Sequence, residues 1–140
     1  MKDQIELSVT VRATAAEIWR ALTDETEDWW SEDVVLEPKK GGIFKEPWED
    51  DAGRKMLASG KVLDVQPNKM IKFTWKEKDW PANAQTECTF EISEEAGKRV
   101  IKVVHTGWDS LPEAKRQSTI KDFHVGWNYH LKELKSYLDD

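Results

Sequence analysis

One stretch constrains this chain more than any other: Arg116–Leu138, RQSTIKDFHVGWNYHLKELKSYL. With Trp127 at zero on a wheel turning about 100° per residue, Ile120, Phe123, Leu131, Leu134 and Leu138 all fall within roughly 40° of it. An apolar stripe sustained over that length predicts a major helix, not a strand. Val125 and Tyr129 fall on the opposite side, about 200° round. Gly126 interrupts the pattern beside Trp127, at a position where glycine costs about 1 kcal/mol relative to alanine. A mid-helix glycine points to close backbone approach, here a helix pressed into a curved sheet.

The chain upstream supplies that sheet. Ile5, Leu7, Val9 and Val11 alternate with Glu6, Ser8, Thr10 and Arg12, the period of a half-buried strand. Thr14 and Glu17 stand at capping-box spacing ahead of Ile18, Trp19 and Leu22, which predicts a short helix. Thr23 or Asp24 is placed to cap a second short helix running through Trp29-Trp30. From Val34 to Trp108 the pattern is an antiparallel meander: Val34–Glu37, Ile43–Trp48, Met56–Val65, Met70–Lys76, a strand carrying Thr86, Cys88, Phe90 and Ile92, and Arg99–Trp108. Pro47 marks an edge or a break. The predicted class is α+β: a curved antiparallel sheet of six to seven strands around a long C-terminal helix, with two short helices after the first strand. A sheet with one apolar face must cover it, and the helix stripe needs the same burial. A curved sheet and a straight helix do not fill the space between them everywhere, so a mostly apolar cavity is expected there.

Composition narrows the class of function. At 140 residues, 39% hydrophobic and 34% charged, the chain is read as a single domain over 1–140. No apolar run approaches a membrane span, and the charged, alternating start MKDQIELSV is not a secretory signal. Cys88 has no second cysteine to pair with, which fits a reducing, cytoplasmic setting. A net charge of −6 argues against nucleic acid as a partner. With one cysteine, no HExxH and no CxxC, neither a metal nor a cofactor is expected. His124 and His130 diverge about 60° to either side of the stripe.

Eight of the aromatic residues are tryptophan, a side chain with a large ring and one N–H to satisfy, better suited to a cavity wall than to a small dry core. The residues expected to line the cavity are Trp30, Phe44, Trp48, Phe73, Trp75, His105, Trp108, Phe123 and Trp127; plain core packing is the alternative for each. Phe73 and Trp75 share a strand parity with Ile71, and Glu46 shares one with Phe44 and Trp48, which brings a carboxylate to the same wall. Trp30 is placed to stop the open end. His105 and Glu46 are the candidates for acid–base chemistry, His105 paired with Glu46 or Asp109, against the blander reading of a hydrogen-bonded histidine at a strand end.

Six segments carry a resemblance: TAAEIWRALTD (14–24) with Trp29-Trp30, GGIFKE (41–46), GKVLDVQPNKMIKFTW (60–75), VVHTGW (103–108) and GWNYHLKELKSYL (126–138). Together they resemble the activator-of-heat-shock-ATPase-like branch of the START-related superfamily, over nearly the whole chain. The resemblance implies a helix-grip fold of seven strands around one long helix. Members of the superfamily bind lipids, sterols or polyketides, act as cyclases, or assist a chaperone. The expectation for this chain is therefore binding of an apolar or aromatic small molecule between sheet and helix, without catalysis. The alternatives are a co-chaperone stimulating a heat-shock ATPase, and a cyclase- or dehydratase-type enzyme with His105 as base. The chain has no second domain upstream of Met1 to clamp a client, which weighs against a full activator role.

Overall fold

Seven strands form one antiparallel sheet in the order β1-β7-β6-β5-β4-β3-β2, so the only non-sequential neighbours are the first and last strands. The computed structural model describes residues 4–139. The reading of the extreme N-terminus and the span 1–140 reach residues 1–3 and 140, which lie outside the described residues. The strands are β1 (Ile5–Val11), β2 (Val35–Leu36), β3 (Ile43–Glu49), β4 (Lys55–Gln66), β5 (Met70–Glu77), β6 (Thr86–Glu95) and β7 (Lys98–Thr106). Helix α1 (Ala15–Thr23) and a 3₁₀ turn (Thr26–Asp28) follow β1, and α2 (Glu113–Asp139) closes the chain. This is the helix-grip arrangement.

Local chemistry accounts for these elements. At α1 both halves of the capping box are present: Glu17 N–H donates to Thr14 Oγ1 at 3.1 Å, and Thr14 N–H donates to Glu17 Oε1 at 2.9 Å. The second short helix is a single 3₁₀ turn that ends before Trp29-Trp30. Thr26 organises it, since its carbonyl accepts from Trp29, Trp30 and Ser31 and its hydroxyl donates to Val34 O. Pro47 lies beyond the two residues of β3 that β2 covers, where the strand has a partner on one side only. Pairing between β4 and β5 slips by one residue between Val62 and Asp64, a bulge that bends β4 and adds curvature to the sheet.

The register stacks inward side chains in rows. The deepest joins Ile71, Phe90 and Val103; the next joins Phe73, Cys88 and His105; then come Trp75 and Thr86. The last row, Glu46, Ala58 and Glu77, ends the inward face on two carboxylates. Alternation along β5 is complete, with Ile71, Phe73, Trp75 and Glu77 all buried. Cys88 is a free, fully buried thiol, as its strand parity predicts.

Helix α2 grips unevenly. Its buried residues are Trp127, Leu131 and Leu134, all in the second half, while Ile120 and Phe123 are half-buried. That second half is also tied down by polar contacts: Lys135 Nζ donates to Thr10 O at 2.6 Å, Arg12 N–H to Asp139 Oδ1 at 3.1 Å, and Tyr137 Oη to Glu25 Oε1 at 2.8 Å. Val125 and Tyr129 point outward, 63% and 60% exposed. Gly126 does not mark close approach: a Cβ built there meets nothing within 4 Å. The glycine that does is Gly60, where a Cβ would fall 1.8 Å from the Thr74 carbonyl oxygen of the neighbouring strand. No helix among the described residues is long and apolar enough to cross a membrane.

Candidate functional site

Against the middle of α2 lies a cavity of about 580 Å³, bounded by β3, β5, the loop after β5, the Trp30 loop and helix residues 122–130. Trp30, Trp48, Trp75, Trp80, Phe123 and Trp127 supply its rings, and Glu46, Glu77, Asp79 and Asp122 its charged groups. Ser31, Gly126 and His130 complete the lining. The open space met at Gly126 is this cavity, so the missing side chain widens it.

Five of the nine residues expected on the wall reach it: Trp30, Trp48, Trp75, Phe123 and Trp127. The other four, Phe44, Phe73, His105 and Trp108, are each 0% exposed and sit in the layer behind. They back the wall: Phe44 and Trp75 have ring centroids 4.6 Å apart, Phe44 and Phe73 4.7 Å, and Trp108 and Phe123 5.1 Å. Trp30 does not stop the open end. It is 7% exposed and joins the wall, with centroids 5.5 Å from Trp127 and 6.4 Å from Trp75.

Two carboxylates hold the wall in place. Glu77 accepts one indole N–H on each oxygen, from Trp48 at 2.9 Å and from Trp75 at 2.8 Å. Glu46 accepts from Trp30 at 2.8 Å. Each pinned indole loses rotamer freedom before any ligand arrives, which is preorganisation in the physical sense. Burial is the main cause that pushes the Glu46 carboxyl up to about 7, with the nearby Glu77 charge acting the same way. Burial raises Glu77 too, against the lowering effect of its two indole donors. Glu46 and Glu77 flank Ala58 across two strand spacings, about 10 Å apart along the row.

His105 is occupied differently from either expectation of an acid–base pair. Trp127 Nε1 donates to its Nδ1 at 3.0 Å, which places the ring proton on Nε2, facing Thr86 Oγ1 at 2.7 Å. The Thr86 hydroxyl in turn faces Trp75 O at 3.4 Å. Neither Glu46 nor Asp109 fixes the tautomer; an indole and a hydroxyl do. Burial pushes the imidazole down to about 3, so it stays neutral across the ordinary pH range. Its role in this geometry is to pin Trp127, and with it the middle of α2, to the sheet.

Glu77, Asp79, Trp80, Asp122 and His130 line the cavity but are outside the set the sequence marks for its wall. Glu77 was within reach: it continues the parity of Ile71, Phe73 and Trp75 by one more step past Lys76. Trp80 and Asp79 lie on a loop whose path no periodicity reports. His130 lies off the helix stripe, yet it is half-buried with its ring 6.1 Å from Trp127. Its position follows from where the helix runs over the cavity.

A family model described as Activator of Hsp90 ATPase homolog 1-like protein matches residues 12–139. No curated protein matches the chain. Among solved structures, CV1439 from Chromobacterium violaceum is similar with a TM-score of 0.78 at 23% identity, covering 100% of this chain and 99% of that one. The Aha1 dimer from Colwellia psychrerythraea, a solution structure, is similar with a TM-score of 0.73 at 21% identity, covering 97% and 96%. DynU16, a protein of the dynemicin biosynthetic locus, is similar with a TM-score of 0.77 at 18% identity. There the match covers 99% of this chain and 48% of that one, so this chain spans about half its length. At these identities the likenesses speak for the fold alone.

Proposed function

We propose that this chain, which belongs to the family of Activator of Hsp90 ATPase homolog 1-like proteins, holds an apolar or aromatic small molecule between its sheet and its C-terminal helix. The observation that carries the reading is the wall itself: a cavity of about 580 Å³ faced by five tryptophans. Ligand pockets of drug-sized molecules fall in the same range, and they are mostly apolar with a few placed polar groups. Three of those indoles are held by the buried Glu77 and the half-buried Glu46, an arrangement more ordered than a filler of core volume requires.

Native mass spectrometry of the purified protein, followed by a tryptophan-fluorescence titration with apolar and aromatic compounds, tests it. The expected result is a retained small molecule, or saturable micromolar binding that Gly126→Leu abolishes. Leucine at this position enters the open space of the cavity and improves helix propensity, so loss of binding would come with a fold at least as stable. No bound mass and no spectral response across a broad set would overturn the reading.

The family's name favours a second reading, an interaction protein that stimulates a heat-shock ATPase. Its test is the ATPase rate of the purified chaperone with and without this protein. Stimulation that survives Gly126→Leu would separate it from the first.

A further inference from the structure

We propose that the ligand of this cavity carries a cationic group, an ammonium or guanidinium, on an apolar or aromatic body. This rests on the small-molecule reading above and adds its charge. The four charged residues that line the cavity, Glu46, Glu77, Asp79 and Asp122, are all acidic. Among the described residues none of them enters an ion pair: the pairs formed are Arg54–Asp50, Lys55–Glu49, Lys72–Glu87, Lys102–Glu91 and Lys135–Asp139.

The lysines on either side of Glu77 are engaged by backbone carbonyls. Lys76 Nζ donates to the carbonyls of Pro81, Ala82 and Ala84 at 2.7, 2.9 and 3.0 Å. Lys78 Nζ donates to Lys55 O at 3.3 Å. Among the described residues Glu46 and Glu77 accept only neutral indole donors, so their ionised forms have no basic side chain beside them to compensate the charge. Burial disfavours the ionised forms and raises both carboxyls, and a cation entering the site favours those forms again. An anion entering would disfavour them further.

The rings act in the same direction. Tryptophan is the strongest aromatic partner for a cation, and five of them border this space. Carboxylates interleaved with indoles select a positive charge, and the apolar remainder of the wall takes the body that bears it.

Three probes of nearly one shape separate the terms: benzyltrimethylammonium, its neutral isostere neopentylbenzene, and the anion 4-phenylbutyrate, each titrated by tryptophan fluorescence and calorimetry. The expected order is cation tightest, by at least tenfold over the neutral isostere, with the anion weakest. Glu77→Gln and Asp122→Asn should each shrink the gap between cation and isostere several-fold. Asp122 is exposed on α2 and holds none of the indoles, so its variant keeps the wall intact if Glu77→Gln disturbs it. Equal binding of the cation and neopentylbenzene, or tighter binding of 4-phenylbutyrate, overturns the charge assignment and leaves the small-molecule reading standing. No binding by any of the three, together with no response in the broader titration, overturns both.

Discussion

At the scale of single residues the site is governed by two titratable groups whose environments push them in opposite directions. Burial pushes the Glu46 carboxyl up to about 7 in the folded protein from its ordinary 4.5, so the native state binds more protons between those values. Stability from this group is therefore full below about 4.5 and declines as pH rises toward 7 and beyond. His105, pushed down to about 3 by burial, stays neutral when folded but is charged when unfolded below its ordinary value of 6.5. Its contribution is full above 6.5 and is lost as pH falls toward 3. Glu46→Gln isolates the first effect, since His105 is common to both proteins. The variant should gain on the wild type by about 2 kcal/mol between pH 5 and pH 8, less than the full shift implies because the cavity is open to water. Thermal melts across that range read the difference; a gap that does not change with pH would remove Glu46 from the account.

At the scale of elements, two glycines that look alike in sequence have opposite meanings. Gly60 lies where β4 and β5 come together, and any side chain there strikes the Thr74 carbonyl. Gly60→Ala should cost several kcal/mol, on the order of an overpacked core position, by urea unfolding. Gly126 faces open space, so Gly126→Ala should stabilise by about 1 kcal/mol through helix propensity alone. A destabilised Gly126→Ala would mean that the cavity wall is closer than it stands here. The expectation of close approach at Gly126 was a sound use of a general rule at the wrong address. The rule reports that a side chain is absent, and only the packing says whether backbone or empty space has taken its place.

At the scale of the whole molecule, the helix is gripped over its second half and borders a cavity at its middle, between residues 122 and 130. Trp127, Leu131 and Leu134 are buried there, while Phe123 is only half-covered. Hydrogen exchange of α2 amides should follow this division. Amides from residue 127 onward should exchange slowly, by openings near the global unfolding free energy, and those before it at least tenfold faster. Uniform protection along α2 would contradict the uneven grip. Saturation of the cavity with a ligand should slow residues 122–126 most, because that part of the wall would then be packed where it now borders open space.

The sequence by itself determined the elements and which way they face. Period-two alternation placed Phe73, Trp75 and Cys88 inward, the capping box began α1 at its proper residue, and the stripe through Trp127 set the inner side of α2. These are local properties, written in spacings of two and of three to four residues. The parity of β3 even brought Glu46 to the wall beside Trp48. The tertiary structure alone decided depth: which aromatic residues face the cavity and which stand behind them. Phe44, Phe73, His105 and Trp108 share their faces with residues that line the site, yet lie one layer back because sheet curvature and helix position set the distance between walls. It also decided partners. That His105 takes an indole and a hydroxyl instead of a carboxylate, and that Glu77 holds two tryptophans, depends on register across strands and on a helix packed from the far end of the chain. Such contacts join residues far apart in sequence, and no local period encodes them.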